Sequence, residues 1–407
     1  MEYQKPRLAI LASRFPFPVE KGDKLRLYHQ LKQLASDFEI YLFALTDEEL
    51  SMAYRNEVEQ YCTGVFVYRD RKVNRNLRVI GYFKDQWPAQ VRYFYSPGIH
   101  RRFLTDFFKI NADIIYCQLY RMAPYLAGIR APKVLDVMDN FATIATLHAD
   151  HSRRIHDRLF WKREHDLINR YEDKLLGQFD HITVISERDA QNLNLAPESK
   201  VTIVRNGIDI EYFQSYPDKQ KEPNYDIGFF GNLEYKPNRE GVRYLIQEIL
   251  PVFQKHNHKV KIVIGGKGAE NLRSLGDGHP DVSFHDWYDD IRDAYYSVRT
   301  VMVPLFLGSG MQNKVLEALA CNRPVICTSH VLNGMPMLRD HVNIADRPDE
   351  FLSQYRLSAV KDRIDREQSP TLSVLKNDLT WQSQCAVLKQ VLDDTRKNFR
   401  WDFTRYH

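Results

Sequence analysis

The sequence predicts an α/β protein with two separate parallel sheets. Three observations predict this class: a length of 407 residues, an alternation of short Val- and Ile-rich segments with longer segments of helical periodicity, and a polar break near the middle of the chain. Such alternation is typical of βα units, which build parallel sheets. One core rarely needs so long a chain, so two domains of roughly 200 residues each are expected.

Thirteen short apolar segments are predicted to be strands, and the two halves of the chain share them almost equally. The first half holds 8–13, 40–45, 65–68, 114–117, 134–137, 182–185 and 201–204, and the second holds 227–230, 260–264, 282–284, 301–305, 325–327 and 342–345. Residues 25–35 carry an amphipathic pattern, which predicts the first helix, with Asp23 as its cap and Gly22 on the loop before it. The polar, Pro-containing stretch 217–223 follows Arg205–Asp209 and has the composition of a linker. The predicted domains are therefore 1–205 and 206–374.

Composition excludes several classes of protein. The apolar fraction of 43%, the charged fraction of 27% and the mean hydropathy of −0.48 are those of a soluble globular protein. The apolar stretch 8–12 is too short for a signal peptide or a membrane span, and no later stretch reaches about 18 apolar residues. Five cysteines without a CxxC pair or metal-ligand spacing indicate reduced thiols and no metal site. We therefore expect a cytoplasmic protein.

One segment is strongly basic although the net charge of the chain is only +4. Residues 69–102 hold nine basic residues against two acidic ones, interleaved with Tyr, Phe and Trp. Two interpretations are open: contact with an anionic membrane or a phosphate-bearing acceptor, or a solvated basic face over a packed aromatic core. Nucleic acid is not expected as a partner, because no nucleic-acid-binding motif accompanies the charge.

The most informative motif is the predicted strand-to-helix loop Gly308-Ser309-Gly310. Glycines let backbone N–H groups approach an anion, and a helix beginning at Met311 would add unpaired donors and the positive end of its dipole. Residues 310, 314 and 317 would then share one helix face, with Lys314 for a phosphate or sugar and Glu317 for ribose hydroxyls. The alternative is a tight turn followed by a surface ion pair between Lys314 and Glu317. Asn322 and Pro324 are expected to end the helix.

Further motifs occur in a fixed order along nearly the whole chain. They are Arg14-Phe15-Pro16-Phe17-Pro18 with Lys21-Gly22-Asp23-Lys24-Leu25-Arg26, Asn206-Gly207-Ile208-Asp209 with Phe213, Gly228-Phe229-Phe230-Gly231-Asn232-Leu233, residues 263–268 and 282–287, Glu317-Ala318-Leu319-Ala320 and Pro324-Val325-Ile326. In these motifs the chain resembles family 4 of the retaining glycosyltransferases, and the N-terminal motif is similar to that of a bacterial subgroup linked to surface polysaccharides. Two positions depart from the family: Ser309 stands where a Glu is usual, and Asn232 or Leu233 where an Arg is usual.

The resemblance implies the GT-B fold, in which two Rossmann-like domains face each other across an interdomain cleft. The C-terminal helix, within residues 375–407, would cross back to the first domain. The implied activity is transfer of a sugar from a UDP- or GDP-sugar to a hydroxyl of a glycan or lipid-linked acceptor, in polysaccharide or glycoconjugate synthesis, with no metal or other cofactor required. The enzyme would be cytoplasmic or peripheral on the inner face of the membrane.

The resemblance also implies roles for particular residues. Glu317 would hold the ribose, and Gly22 would face the donor phosphates and the acceptor from the first domain. Apart from the resemblance, Asp139 follows the predicted strand 134–137, the usual place for ligand groups in open α/β sheets, and could orient the acceptor; Asp139 or Asn140 could equally cap a helix. The remaining donor-site residues implied are Asn232, Lys236, Gly308, Ser309, Gly310, Met311, Gln312, Asn313 and Lys314. Two alternatives to a transferase stay open, namely a catalytically silent relative that binds or scaffolds, and a nucleotide-sugar epimerase. Fold alone does not decide between them.

Overall fold

The computed structural model describes residues 4–80, 86–138, 141–150, 154–193, 199–217, 222–308, 310–361 and 370–399. The chain divides into a first unit, made of Met1–Arg205 and Trp381–His407, and a second unit, Asn206–Thr380. Each unit holds its own parallel sheet with helices. The predicted fold class, α/β with two Rossmann-like domains, is therefore confirmed.

The first unit contains a seven-stranded parallel sheet in the order β3-β2-β1-β4-β5-β6-β7. All seven strands predicted in the first half are present, each within one residue of its predicted ends. They are β1 (Arg7–Ala12), β2 (Glu39–Thr46), β3 (Gly64–Arg69), β4 (Ile114–Gln118), β5 (Lys133–Val137), β6 (His181–Val184) and β7 (Val201–Ile203). The central strands β1, β4 and β5 are buried almost throughout, as parallel strands covered on both faces are.

Nine helices of the first unit connect and cover these strands in the part of the chain that the structure describes. They are α1 (Gly22–Leu34), α2 (Met52–Glu59), α3 (Lys72–Val79), α4 (Ala89–Phe94), α5 (Pro97–Ile110), α6 (Phe141–Asp150), α7 (Ile155–Leu176), α8 (Glu187–Gln191) and α17 (Trp381–Asn398), with a 3₁₀ segment at Tyr120–Leu126.

The last helix, α17, is part of the first unit's core. Its residues Leu388, Val391 and Leu392 are buried in one hydrophobic cluster with Leu27 of α1 and Ile10 of β1. At its start, the rings of Trp381 and His29 stack at 4.7 Å. The helix therefore contributes to the core of a unit whose other residues lie before position 206.

The second unit contains a six-stranded parallel sheet in the order β10-β9-β8-β11-β12-β13. All six predicted strands are present, with ends that differ by up to three residues from the prediction. They are β8 (Tyr225–Phe230), β9 (Ile262–Gly265), β10 (Val282–His285), β11 (Val298–Val303), β12 (Val325–Cys327) and β13 (Asn343–Ile344).

Helices of the second unit follow the strands in the usual alternation. They are α9 (Ile210–Gln214), α10 (Lys236–Tyr244), α11 (Leu250–Lys255), α12 (Ile291–Tyr296), α13 (Asn313–Ala320), α14 (Ser329–Leu332), α15 (Pro348–Lys361) and α16 (Pro370–Asp378), with a π segment at Leu245–Ile249 and 3₁₀ segments at Glu270–Gly276 and Pro336–His341.

Two predicted helix starts are wrong. Helix α1 begins at Gly22, so this residue is helical rather than on a loop, and Asp23 lies in the first turn instead of capping it. Helix α13 begins at Asn313 rather than Met311, because Gln312 is extended and Met311 is buried as part of the preceding loop. The predicted end is confirmed, since Asn322 has a left-handed φ of 55° immediately before Arg323 and Pro324.

Candidate functional site

The strand order of the second unit marks one place for a ligand. Chain order reverses between the neighbouring strands β8 and β11, and open α/β sheets bind ligands outside the carboxyl ends of the strands at such a switch point. Two loops leave the sheet there, residues 231–235 after β8 and 304–312 after β11. The second loop is the one that carries the predicted glycine motif.

The loop after β11 has a backbone that needs glycine. Gly308 has a φ of 109° and Gly310 a φ of 75°, in the region that side chains with a Cβ rarely adopt. The His330 ring nitrogen Nε2 lies 2.9 Å from the Gly308 carbonyl oxygen. A Cβ on Gly334 would lie 2.4 Å from the Gly310 carbonyl oxygen. Segment 328–334 therefore packs against the loop and fixes its shape. Ser309 lies outside the described residues.

Helix α13 presents the amino end of its first turn at this loop. Gln312 is its N-cap residue and makes no side-chain capping bond. The first N–H groups of a helix have no partner within it, and the dipole makes that end positive. Since Gly310 precedes the helix by three residues, the predicted face through residues 310, 314 and 317 is wrong for Gly310, and only Lys314 and Glu317 lie on the helix.

Lys314 is buried beneath the switch point. Its ammonium nitrogen lies 2.5 Å from Asn238 Oδ1 and 4.5 Å from the centroid of the Phe229 ring. A Cβ on Gly231 would come within 2.9 Å of the same nitrogen, so glycine leaves it the space it occupies. Burial lowers the pKa of Lys314 to about 7, against a smaller opposing effect of the charge of Glu317. The environment of this side chain thus disfavours its charged form.

Glu317 lies one helical turn further along α13. Its Oε2 accepts a hydrogen bond of 2.5 Å from the hydroxyl of Tyr295, which is itself buried. Burial raises the pKa of Glu317 above its ordinary value, while the bond from Tyr295 and the charge of Lys314 act in the other direction. Because Lys314 bonds to Asn238 and Glu317 bonds to Tyr295, the alternative of an exposed Lys314–Glu317 pair on a simple turn is wrong.

The loop after β8 lies beside Lys314. Asn232 accepts a bond from the Glu234 amide at 2.9 Å through Oδ1, and its carbonyl accepts one from Asn238 Nδ2 at 2.7 Å. The Asn232 side chain therefore shapes the turn. Lys236 is the first residue of α10 and is half-buried.

Two residues of α10 escaped the sequence analysis. Asn238 joins the β8 loop to Lys314 through its two amide atoms, and Arg239 donates to the Glu234 carbonyl at 2.5 Å. Asn238 is buried in the first turn of α10, and because burial depends on the fold, no signal in the sequence could have found it. Arg239 places a guanidinium in the turn that follows β8, where the family's usual Arg is missing from positions 232 and 233.

The loop after β8 and the loop after β9 are in close backbone contact. Gly266 has a φ of 123°, and a Cβ there would lie 2.1 Å from the carbonyl oxygen of Gly231. The Leu233 amide donates to the Lys267 carbonyl at 2.8 Å. These contacts fix the floor of the switch point independently of any ligand.

In the first unit, the predicted residues are only partly described. Gly22 begins α1, and a Cβ there would meet nothing within 4 Å. Asp139 and Asn140 lie outside the described residues. Asp136, which precedes them in β5, is fully buried and binds Arg26 through both oxygens at 2.8 and 2.9 Å. That ion pair belongs to the core of the first unit.

A charged cluster missed by the sequence analysis lies at the switch point of the first sheet, between β1 and β4. Asp23 accepts from Arg14 and, at 3.1 Å, from Arg121, which also donates to Ser13 at 2.9 Å. The Arg121 guanidinium lies 4.3 Å from the centroid of the Phe94 ring. Burial alone would raise the pKa of Asp23, but Arg14 and Arg121 hold it below its ordinary value.

Four cations of the basic segment 69–102 pair with neighbouring carboxylates. Arg75 and Arg78 both bind Asp70, at 3.0 and 2.5 Å. Arg69 lies 3.4 Å from Glu49, and Lys72 lies 3.3 Å from Asp47 and 3.6 Å from Glu48. Arg75 also covers the rings of Tyr93 and Phe94. For these cations the structure favours the packed, solvated face over a free anion-binding surface.

No described helix is both long and apolar enough to span a bilayer. Within the same ranges, no group of three His, Cys, Asp or Glu side chains is arranged to hold a metal ion.

Two family models match the chain, one in each half. The model described as "Glycosyltransferase Family 4" matches residues 26–212, and the model described as "Glycosyl transferases group 1" matches residues 224–355. An uncharacterised 44.6 kDa protein in the cps region of Klebsiella pneumoniae is 21% identical over 343 residues, which cover 79% of this chain and 83% of that protein.

Solved structures share the fold over nearly the whole length. Anabaena Alr3699/HepE in complex with UDP is 15% identical, with a TM-score of 0.64 over 95% of this chain and 100% of that one. The same protein has been solved with UDP-glucose, with a TM-score of 0.63. A glycosyltransferase from Rickettsia africae is 10% identical, with a TM-score of 0.65 over 98% of this chain and 100% of that one.

Proposed function

Because this chain is a glycosyltransferase of the GT-B type, we propose that it transfers a sugar from a nucleotide diphosphate sugar to an acceptor hydroxyl with retention of configuration. One observation carries the assignment of the donor site: a buried lysine, Lys314, beneath the uncapped amino end of α13 at the switch point of the second sheet. A buried ammonium held by a neutral amide is stabilised when an anion arrives beside it.

The diphosphate of the donor fits the amino end of α13. In this proposal the amides near Gly310, Met311 and Asn313 donate to phosphate oxygens, and Lys314 supplies the positive charge. Gly308, Ser309 and Gln312 complete the loop around the donor sugar. Backbone donors suit this task because the glycine conformations of the loop are already fixed by segment 328–334.

Glu317 is proposed to bind the ribose. One of its oxygens is held by Tyr295, which fixes the orientation of the carboxylate, and the carboxylate can accept the ribose hydroxyls. We also propose that Asn232, in the loop after β8, and Lys236, the first residue of α10, belong to the donor site. Asn232 shapes the turn. UDP is the first nucleotide to test, since the Anabaena protein was solved with UDP and UDP-glucose, and GDP is the second.

The proposed reaction depends on positioning and on charge stabilisation. The bond between the sugar C1 and the diphosphate oxygen breaks, the acceptor oxygen bonds to C1 on the same face, and the acceptor proton passes to the departing diphosphate. Lys314 and the amides of α13 stabilise the negative charge that grows on that diphosphate. We assign donor binding to the second unit and the acceptor side, with Gly22 and Asp139, to the first.

The acceptor is proposed to be a glycan or a lipid-linked saccharide of a surface polysaccharide. Support comes from the N-terminal motif at residues 14–26 and from the relative in the cps region, a weak match at 21% identity.

Calorimetric titration with UDP, GDP and UMP tests the donor site. We expect a nucleoside diphosphate to bind, and Lys314→Met to weaken it by about a hundredfold, as loss of a charged hydrogen bond to phosphate would. Lys255→Met, at the exposed end of α11, is the matched control and should bind like the parent protein. Equal affinities for all three proteins would refute the assignment of Lys314.

Turnover measurements separate the transferase from its alternatives. Sugar release from the donor that depends on an added acceptor supports transfer. Conversion of the donor sugar without any acceptor would indicate an epimerase, and tight nucleotide binding without turnover of any sugar nucleotide would indicate a silent relative.

A further inference from the structure

Helix α7 extends beyond the sheet it covers. Its 22 residues rise about 33 Å at ~1.5 Å per residue. The neighbouring strands β5 and β6 have five and four residues, which span about 17 Å or less at ~3.3 Å per residue. Leu176 ends α7 shortly before β6 begins at His181, so the carboxyl end of the helix lies near the amino edge of the sheet. Its first turns therefore project past the opposite edge.

These first turns expose two large apolar side chains. Ile155 is 78% exposed and Leu159 is 63% exposed, whereas Leu167 and Ile168 further along the helix are buried. An isolated exposed apolar residue needs no explanation, but two at a spacing of four residues share one face of a helix.

Three exposed cations accompany this apolar pair. Arg158 lies three residues after Ile155, Lys162 lies three residues after Leu159, and Arg154 is the N-cap residue next to Ile155. The nearest carboxylate on the helix, Asp157, lies 3.3 Å from His156. Glu164 is buried, and its carboxylate accepts from the Ala89 amide at 2.9 and 3.0 Å.

Helix α3 shows a different charge environment around a similar apolar pair. Val73 is 67% exposed and Leu77 is 58% exposed, again four residues apart. Its cation Lys72, however, lies within 3.3 Å of Asp47 and 3.6 Å of Glu48. The three cations within α3, Lys72, Arg75 and Arg78, each lie within 3.3 Å of a carboxylate. Among the residues that the structure describes, Arg158 and Lys162 of α7 form no such ion pair.

We propose that residues 154–162 dock on an anionic lipid bilayer. Ile155 and Leu159 enter the boundary between headgroups and acyl chains, and Arg154, Arg158 and Lys162 contact lipid phosphates. An apolar pair rimmed by positive side chains complements a negatively charged bilayer surface better than it complements the core of a protein–protein interface, where charged residues are depleted. The surface lies outside the donor site, so it stands whether or not the proposed transfer reaction is correct.

Co-sedimentation of the full chain with lipid vesicles tests the proposal. We expect binding to phosphatidylcholine vesicles that contain roughly one quarter phosphatidylglycerol, little binding to pure phosphatidylcholine, and weakening with salt. Ile155→Gln with Leu159→Gln should lower the partition coefficient about tenfold or more, since each side chain loses apolar burial. Arg158→Gln with Lys162→Gln should lower binding to the anionic vesicles by a similar factor and leave the weak binding to neutral vesicles unchanged.

The matched control is Val73→Gln with Leu77→Gln on α3, which should bind vesicles like the parent protein. All these positions are exposed, so unchanged melting temperatures are expected and would show that the variants fold. The proposal is overturned if the parent protein binds neither kind of vesicle, if it binds both equally, or if the α3 variant loses as much as the α7 variant. A concentration-dependent dimer that only the α7 substitutions dissociate, without vesicle binding, would assign the surface to a second copy of the chain and overturn the bilayer proposal.

Discussion

Binding of UDP is expected to place a proton on Lys314. Burial over Phe229 and beside Asn238 holds the pKa of this side chain at about 7 in the unliganded protein. Near pH 8, about one tenth of the Lys314 side chains are protonated when the pKa is about 7. The negative charge of a bound diphosphate should raise this pKa above ~9.5. We therefore expect uptake of about 0.9 proton per UDP near pH 8 and about 0.5 near pH 7.

The same linkage fixes the pH dependence of affinity. Above the pKa of the unliganded protein, each pH unit should raise the dissociation constant of UDP about tenfold, until the pKa of the complex is reached. The stability of the fold responds to pH in the opposite sense to UDP affinity. The unfolded chain, with an ordinary lysine pKa, binds more protons than the native state between about pH 7 and 10.5, so the contribution of Lys314 to stability rises with pH across that window.

Calorimetry in buffers of different ionisation enthalpy measures the proton uptake directly. The slope of the observed binding enthalpy against the buffer enthalpy gives the number of protons, which is the sum of the change at Lys314 and any change at other groups, such as Glu317 and the terminal phosphate of UDP. Lys314→Gln separates the two, because residual uptake in that variant belongs to other groups. Uptake below about 0.2 proton near pH 8 in the parent protein, with UDP bound, would refute the reasoning.

Three further outcomes follow from individual contacts. Glu317→Ala should weaken UDP about tenfold to a hundredfold and leave inorganic pyrophosphate unaffected, because only the ribose contact is lost; equal weakening of both ligands in titrations would contradict a ribose role. Gly334→Ala should lower both UDP affinity and the melting temperature, since its Cβ would lie 2.4 Å from the Gly310 carbonyl, whereas Gly98→Ala, with open space around it, should change neither. Asp136→Asn should destabilise the chain by roughly 3–5 kcal/mol in urea unfolding because Arg26 stays buried and charged, and recovery of most of that loss in Arg26→Met with Asp136→Leu is the check.

Fold class was predictable because its signal is local. Parallel strands covered on both faces are short apolar runs, and each of the thirteen could be located from the sequence with small errors at the ends. The left-handed Asn322 and the Pro after it likewise marked the end of α13. Helix starts were less predictable. Asp23 has the composition of a cap, yet the contacts that place it in the first turn of α1 come from Arg14 and from Arg121, a residue 98 positions away.

The candidate site was predictable in its residues and not in its contacts. Sequence spacing put Lys314 and Glu317 on one helix, but each bonds to a partner from another element, Asn238 and Tyr295, that no local pattern connects to them. For the same reason, the sequence could not decide between the two interpretations of the basic segment. Asp70 lies within it, but Asp47, Glu48 and Glu49 come from the turn after β2, and reach Arg69 and Lys72 only because β2 pairs with β3.

Helix α17 imposes an order on the folding of the chain during translation. The second unit is continuous, so all of its residues have emerged from the ribosome once Thr380 has left the exit tunnel. The first unit, although translated earlier, lacks Leu388, Val391 and Leu392 until that moment has passed. The apolar surface that these residues cover stays exposed while the whole second unit is synthesised. This reverses the usual order, in which the N-terminal domain folds first. A premature stop codon just after Thr380 would therefore remove α17 and destabilise the first unit, although most of that unit is encoded far upstream of the stop codon.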